Sequence, residues 1–269
     1  MPSSPPVESI AACADTIGAR TAGHLDHLWR LIMPSQGGVA DADWFRLISG
    51  EPHPLGNVAI LAWDDHDEAA IAAVTPLLSI PQPSAAICLH GASEHLAGVL
   101  AARGFQPHGA MPAMAVDIHD VATTSLPHGD TFERIATPAA FGEWTDVLAT
   151  GYGLPRGLSR MLSPEALGAD PADDAVIQFF AIRRDGRLVA TSMMFLDDGL
   201  AGLYCVTTLQ DARGQGLGAH VTAEPLRRAR TLGYRVGVLQ SSDAGHPVYR
   251  RLGFQDVGAV PLFIRMPGS

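Results

Sequence analysis

Across residues 130–269 the apolar positions recur with two spacings, period two in short runs and helical period in longer ones, and their succession sets an order of elements. Phe132-Glu-Arg-Ile135 reads as a strand and Pro138 to Thr150 as an amphipathic helix. The apolar runs on either side of Asp185-Gly186, within Val176 to Phe195, predict a hairpin, because that dipeptide suits the tight turn between two antiparallel strands. Asp197-Asp-Gly199 marks a further turn, which leads into a strand from Ala201 to Thr208. A helix from Gly216 to about Leu232 follows, in which Pro225 predicts a kink or an early break, then a strand Arg235 to Gln240 and a helical stretch ending at Gly253-Phe254. In the amino-terminal half, Ala85-Ala-Ile-Cys-Leu89 is strand-like and Glu94 to Arg103 helix-like. Such interleaving predicts an α/β fold of the mixed α+β type, with a mostly antiparallel sheet flanked by helices.

The polar stretch Val121 to Asp130, with Pro127 and Gly129, reads as a linker between two patterned halves. The halves share a motif. Gly104-Phe-Gln-Pro-His-Gly-Ala-Met-Pro112 matches Gly253-Phe-Gln-Asp-Val-Gly-Ala-Val-Pro261 in Gly-Phe-Gln, Gly-Ala and Pro at an offset of 149 residues, each copy following a helical stretch and preceding a strand-like one. This points to a duplicated unit, with domains expected at residues 1–125 and 126–269.

Bulk properties narrow the class. A length of 269 residues, 47% hydrophobic and 17% charged, describes a globular protein of one large or two modest domains, without an apolar run long enough to span a bilayer. The start Met1-Pro-Ser-Ser-Pro-Pro-Val-Glu lacks the features of a signal peptide, so a cytoplasmic location is expected. Cys13, Cys88 and Cys205 are odd in number and widely spaced, which argues against a disulfide framework or a zinc site. A net charge of −10 disfavours nucleic acid as a partner. Within that acidic chain, seven arginines lie between Arg213 and Arg251 against only Glu224 and Asp243. Arg227, Arg228 and Arg230 read as a solvated helix face, yet a polyanionic ligand would prefer this island to the rest of the surface.

The chemistry concentrates after the strand Ala201 to Thr208. Arg213-Gly-Gln-Gly-Leu-Gly218 joins that strand to the following helix, and such a turn suits phosphate: the first N–H groups of a helix lack internal partners, glycine allows close approach, and Arg213 adds positive charge. Some thirty residues on comes His246-Pro-Val-Tyr249-Arg-Arg-Leu-Gly253-Phe254. In that order the two motifs resemble the GNAT superfamily of N-acetyltransferases, whose pattern is Arg or Gln, two residues, Gly, one residue, Gly or Ala, then Tyr, three residues, Gly-Phe. The resemblance covers about residues 130–269 and implies two GNAT-like domains, of which the carboxy-terminal one acts on acetyl-CoA. It implies that Thr207 and Thr208 offer backbone hydrogen bonds to the pantetheine arm, and that Arg213, Gly214, Gln215, Gly216, Leu217 and Gly218 take the pyrophosphate. It also implies that Tyr249 protonates the departing thiolate as general acid, after direct attack by the amine in a ternary complex. Gln210 stands where a proline is frequent in the family. The implied partners are a small-molecule or peptide amine acceptor, neither nucleic acid nor membrane, and a homodimer is allowed.

At the offset of the repeat, Arg213 falls opposite Asp64, Gly216 opposite Asp67, Leu217 opposite Glu68 and Tyr249 opposite Leu100, so the first copy is expected to be degenerate and without the phosphate loop. The base that deprotonates the amine stays open among Glu165, Asp198, Tyr204 and Asp211, acting directly or through water. His246 can face the same site. Cys205, mid-strand and without an identifiable histidine partner, reads as a buried apolar residue rather than a nucleophile, and His24 with His27 has a ligand-like spacing but no further ligands, so no metal is expected. The stretch Gly151 to Asp174, which shapes the acceptor site in such enzymes, has a composition suggesting mobility and selects no acceptor class. A dinucleotide-binding oxidoreductase would need an acidic residue ending the next strand, where Leu239-Gln-Ser-Ser242 stands instead. The stronger rival is a non-catalytic acyl-CoA sensor or partner-binding module built on the same cradle.

Overall fold

The computed structural model describes residues 7–33, 36–62, 66–172 and 174–268. Its first elements are α1 (Ile17–Ile32), β1 (Val39–Ala40), β2 (Trp44–Ile48), β3 (Asn57–Leu61), α2 (Asp67–Val74), β4 (Ser84–Cys88), α3 (Glu94–Ala101) and β5 (Gln106–Asp117). After the connector come β6 (Thr131–Ile135), α4 (Pro138–Tyr152), α5 (Arg156–Met161), β7 (Ile177–Arg184), β8 (Arg187–Asp197) and β9 (Leu200–Thr208). The chain ends with α6 (Leu217–Thr231), β10 (Val236–Gln240), α7 (His246–Leu252) and β11 (Gln255–Arg265). The fold is thus mixed α/β, with helices on a mixed sheet.

Compactness divides the chain otherwise than a cut after residue 125. One unit comprises Met1–Ile17 and Met114–Val257, and the other Gly18–Ala113 and Gly258–Ser269. Long-range strand pairing sets this division: the end of β11 pairs antiparallel with β4, from Leu262 opposite Ile87 to Arg265 opposite Ser84, a partnership that no local pattern reveals.

In the first unit, which carries the glycine-rich turn, the strands lie in the order β5-β10-β9-β8-β7-β6. The pairs β6/β7, β7/β8 and β8/β9 are antiparallel, and β9/β10 is parallel. Both expected tight turns are present, with positive φ at Asp185 and Gly186 and again at Asp198 and Gly199. Successive residues of β7 face opposite sides of the sheet. Phe179 meets Trp144 of α4 edge to face at 5.1 Å between ring centroids, whereas Phe180 joins the cluster that includes Leu226 and Ala229 of α6, so α4 and α6 cover opposite faces. The indole N–H of Trp144 donates to the Phe180 carbonyl at 3.0 Å, which fixes α4 against the sheet. Val7 and Ile17, with Ile10 and Cys13, pack on Leu200, Val236 and Val238.

Pro225 does not break α6, which runs on to Thr231. Proline has no N–H, so the Val221 carbonyl one turn earlier loses its helical donor, and the hydroxyl of Ser192 on β8 donates to that carbonyl at 2.7 Å. The expectation of an early break fails because the sheet supplies the missing donor.

The second unit has the order β1-β2-β3-β4-β11 and a core of Leu61, Val74, Leu77, Leu100 and Phe105 among others. Along the chain, the succession β2-β3-α2-β4-α3-β5 matches the later β8-β9-α6-β10-α7-β11. In both, an antiparallel pair precedes a parallel one connected by a helix. The repeated motifs open β5 at Gln106 and β11 at Gln255, each after a glycine of positive φ, Gly104 and Gly253, that ends the preceding helix. Asp64 lies outside the described residues, whereas Asp67 and Glu68 form the first turn of α2. Among the described residues no group of three or more His, Cys, Asp or Glu could hold a metal ion, and no helix is long and apolar enough to cross a membrane.

Candidate active site

The site begins where β9 parts from β10. These strands share register only at Gly237 opposite Ala201 and Val238 opposite Gly202, although β9 continues to Thr208 and stays paired with β8 to its end. The cause lies in β9 itself. Between Thr191 opposite Thr207 and Met193 opposite Tyr204 the register shifts, so that Cys205 and Val206 together oppose Ser192, and Cys205 has φ of 52°. An extra residue bends a strand and increases its local twist. The outer part of β9, including Thr207 and Thr208, has no register with β10, which ends at Gln240. Nothing in the sequence marked Cys205 as a bulge, because the shift is visible only against β8.

Beyond Thr208 a turn of 3-10 helix, Gln210–Ala212, leads into the glycine-rich segment. Gly214 has φ of 77° and Gly216, the N-cap of α6, has φ of 81°, a conformation costly for any residue with a Cβ. A Cβ built at either position would meet nothing within 4 Å, so the space above the turn is open. The first bond of the helix runs from the His220 N–H to the Gly216 carbonyl at 3.0 Å, so the N–H groups of Leu217, Gly218 and Ala219 have no intrahelical acceptor. Gly218 packs near the Thr208 hydroxyl, 3.6 Å from where its Cβ would lie. The turn thus joins free amide donors to the positive end of a helix, which suits a pyrophosphate.

Arg213 has a further task. Its Nε donates to the Thr208 carbonyl at 3.0 Å, Nη1 to Gln210 Oε1 at 2.7 Å and Nη2 to the Gly151 carbonyl at 3.4 Å. The guanidinium therefore clasps the turn to the end of β9 and to α4 while remaining at the surface. Elsewhere in the arginine island, Arg227 pairs with Glu224, and Arg228 donates to Gln178 at 2.7 Å.

Tyr249 projects from α7 into the same unit and is 8% exposed, with Phe254 edge-on at 5.8 Å. Burial disfavours its phenolate and raises its pKa to about 12, so the hydroxyl keeps its proton at neutral pH. Burial likewise pushes the Cys205 thiol up to about 12, leaving it a protonated and poor nucleophile. Tyr204 is also raised, by burial first and then by Asp197, and a phenol held in that state takes no proton from an amine. Asp211 is held ionised below the usual range, chiefly by its hydrogen bond with Arg187, in an exposed ion pair. Asp198 occupies a turn, Glu165 is exposed, and His246 bonds with Asp256 at 2.8 Å.

Tyr152, the last residue of α4, escaped sequence reasoning and lies beside β9. Burial of its hydroxyl raises its pKa, nearby Cys205 and Tyr249 add to the effect, and a hydrogen bond with the Val206 backbone opposes it. Only its position beside the bulge reveals it, and no motif signals that. The stretch after α4 is ordered by α5, by the Ser163 hydroxyl accepting from Ala166 N–H at 3.1 Å, and by Arg134 donating to the carbonyls of Asp170, Pro171 and Ala172 at 2.6–3.0 Å.

Part of this chain matches a known family, and its fold is shared with solved structures. Residues 152–254, which include Tyr152, the bulge, the turn and Tyr249, match the model of the acetyltransferase (GNAT) family. No curated protein sequence matches the chain. Among solved structures, a GCN5-related N-acetyltransferase from Kribbella flavida has a TM-score of 0.67 at 23% identity, over 94% of this chain and 96% of that one. A GCN5-related N-acetyltransferase from Sphaerobacter thermophilus gives 0.56 at 15% identity over 69% and 60% of the two chains. A tandem GNAT protein from the clavulanic acid biosynthesis pathway gives 0.52 at 12% identity over 93% and 96%. These likenesses establish a shared fold. Residues 152–254 thus match the GNAT acetyltransferase family, and the chain shares the fold of these N-acetyltransferase structures.

Proposed function

We propose that the chain transfers an acetyl group from acetyl-CoA to a primary amine by direct attack in a ternary complex, at a single site in the unit that carries the glycine-rich turn. The observation that carries this reading is the parting of β9 from β10, which opens an unpaired strand edge between a phosphate-binding turn and a neutral, buried phenol. The residues present fit the donor. The backbone of Thr207 and Thr208, on the part of β9 without register to β10, is proposed to pair with the amide-bearing arm, and the turn from Gly214 through Gln215, Gly216 and Leu217 to Gly218, open at the Cβ positions of Gly214 and Gly216, is proposed to take the pyrophosphate. Acetyl-CoA, when bound, supplies the thioester that the amine attacks.

The roles of the protein groups follow from charge and proton balance. Attack builds negative charge on the carbonyl oxygen, which calls for a fixed donor, a role proposed for a backbone N–H of the β9 bulge. As the carbon–sulfur bond breaks, Tyr249 Oη gives its proton to sulfur; the raised pKa keeps that proton in place until the thiolate forms. Water is the proposed carrier of the amine proton. The second unit, with Asp67 and Glu68 at the start of α2, is proposed to be a degenerate copy that packs without binding the donor. Thiol release from acetyl-CoA over a panel of amines tests the activity: Tyr249→Phe should still bind coenzyme A and lose about 100-fold or more in turnover. Binding without turnover in the unaltered chain for every amine would instead favour the sensor reading.

A further inference from the structure

Near its end, α4 lies directly on β9. A Cβ built on Gly151 would stand 2.1 Å from Thr207 Oγ1, 2.7 Å from its Cγ2 and 2.9 Å from its Cβ, three atoms of one β-branched side chain with little freedom to give way. The bare backbone of Gly151 is what lets the helix come this close to the strand. Arg213 secures the contact. Each of its three guanidinium nitrogens donates to a protein acceptor: Nε to the Thr208 carbonyl at 3.0 Å, Nη1 to Gln210 Oε1 at 2.7 Å and Nη2 to the Gly151 carbonyl at 3.4 Å. The planar fork of an arginine meets three such directions at once, whereas the ammonium of a lysine is a single point. The guanidinium is thus turned back onto the chain, and a phosphate could engage it only at the expense of partners it already holds. α4 stops just beyond the contact, at Gly153 with φ of 68°, so the course of the following segment starts from this clasp.

We propose that Arg213 is a positioning residue for the acceptor amine: it holds the end of α4 on β9, beside the part of the strand proposed to carry the donor arm, and its charge is not a ligand of the pyrophosphate. The inference rests on the function proposed above and deepens it. Thr207 links the two sides, since its backbone is proposed to pair with the arm while its side chain meets Gly151. An attacking amine has to be held next to that arm, and loosening the clasp shifts a wall beside it. The turn itself has other supports: the side chains of Ala212 and Leu217 are buried, and the Ala212 N–H donates to the Leu209 carbonyl at 2.9 Å. Its amides therefore stay in place for the pyrophosphate when the guanidinium is lost.

Two measurements on the full chain separate the outcomes: calorimetric titration with coenzyme A, and steady-state kinetics with acetyl-CoA and the amine of the panel that the unaltered chain acetylates fastest. Arg213→Lys and Arg213→Gln should behave alike, although only the first keeps the charge. In both, coenzyme A affinity should stay within about threefold while the KM for the amine rises about five- to tenfold, the range of one net hydrogen bond. Gly151→Ala forces the end of α4 off Thr207 without altering any charge, and it should raise the same KM at equal coenzyme A affinity. A loss of coenzyme A affinity of about tenfold or more in Arg213→Gln but not in Arg213→Lys overturns the proposal, because the charge would then be a ligand of the pyrophosphate. Equal losses of that size in both variants also overturn it, since the clasp would then shape the turn. An amine KM unchanged in all three variants reduces the contact to a support of the fold and overturns it too. If the unaltered chain binds no coenzyme A, or acetylates no amine, the function proposed above fails and this inference with it.

Discussion

The two units connect a parallel pair of strands by a helix, yet the pairs end differently. β3 and β4 keep register from Val58 opposite Ala85 to Leu61 opposite Cys88, and the Leu89 N–H extends the zipper to the Leu61 carbonyl at 3.0 Å. β9 and β10 share register at Ala201 and Gly202, and β9 is bulged farther on at Cys205. The helices that follow differ in the same sense. α2 begins with Asp67 and Glu68, whose charges stabilise a helix N-terminus and repel a phosphate, whereas α6 begins at a left-handed glycine with its amides uncovered. Where Tyr249 stands in α7, the repeat offset gives Leu100, fully buried in the core of its unit. One order of elements thus takes two forms, a parallel pair in longer register before an acidic helix start and a bulged strand before a bare glycine helix start.

Breaking that contrast at the helix start should have the largest effect. Gly216→Asp imposes a side chain on φ of 81° and a negative charge beneath the pyrophosphate, and coenzyme A affinity measured by calorimetry should fall about 100-fold or more. Glu68→Lys, at the equivalent place in the other unit, should leave that affinity within about twofold, because no donor is held there. The phenol gives the next contrast. Tyr249→Phe should lower kcat about 100-fold without weakening coenzyme A, whereas Leu100→Ala should cost about 2–5 kcal/mol in urea unfolding and leave kcat of the folded protein intact.

A pH profile sharpens the assignment of the acid. In the role proposed for it Tyr249 acts when protonated, and burial raises its pKa from the ordinary 10.0 to about 12. Activity that depends on its proton is present below that value and is lost only as pH rises through it, so kcat at pH 10, where an exposed phenol is half ionised, should retain its value at pH 8. A decline centred near pH 10 would place the acid elsewhere. A smaller effect is expected at Ser192. Ser192→Ala removes the donor to the Val221 carbonyl beneath Pro225 and should cost about 1–3 kcal/mol in urea unfolding, while Pro225→Ala in that background should recover part of the loss by restoring a helical N–H.

Much of this contrast was legible in local sequence. The hairpins at Asp185-Gly186 and Asp198-Gly199 follow from residues that tolerate positive φ, and the glycine-rich turn and the 149-residue repeat are contiguous strings. What escaped is relational. The bulge at Cys205 exists only in register with β8, and Ser192 answers Pro225 from 33 residues away in sequence. The exchange that pairs β11 with β4 joins residues at opposite ends of the repeat. Tyr152 reaches the site because Gly151 rests on Thr207, two residues that no periodicity connects. The acidic start of α2 was readable as charge, but whether β3 and β4 also closed the groove was not.

Stoichiometry tests the central claim most directly. Titration of the full chain with coenzyme A should give one site per chain, abolished by Gly216→Asp and unchanged by Glu68→Lys. Two sites per chain, or one site that survives Gly216→Asp, would contradict the division of the molecule into a closed unit and an open one.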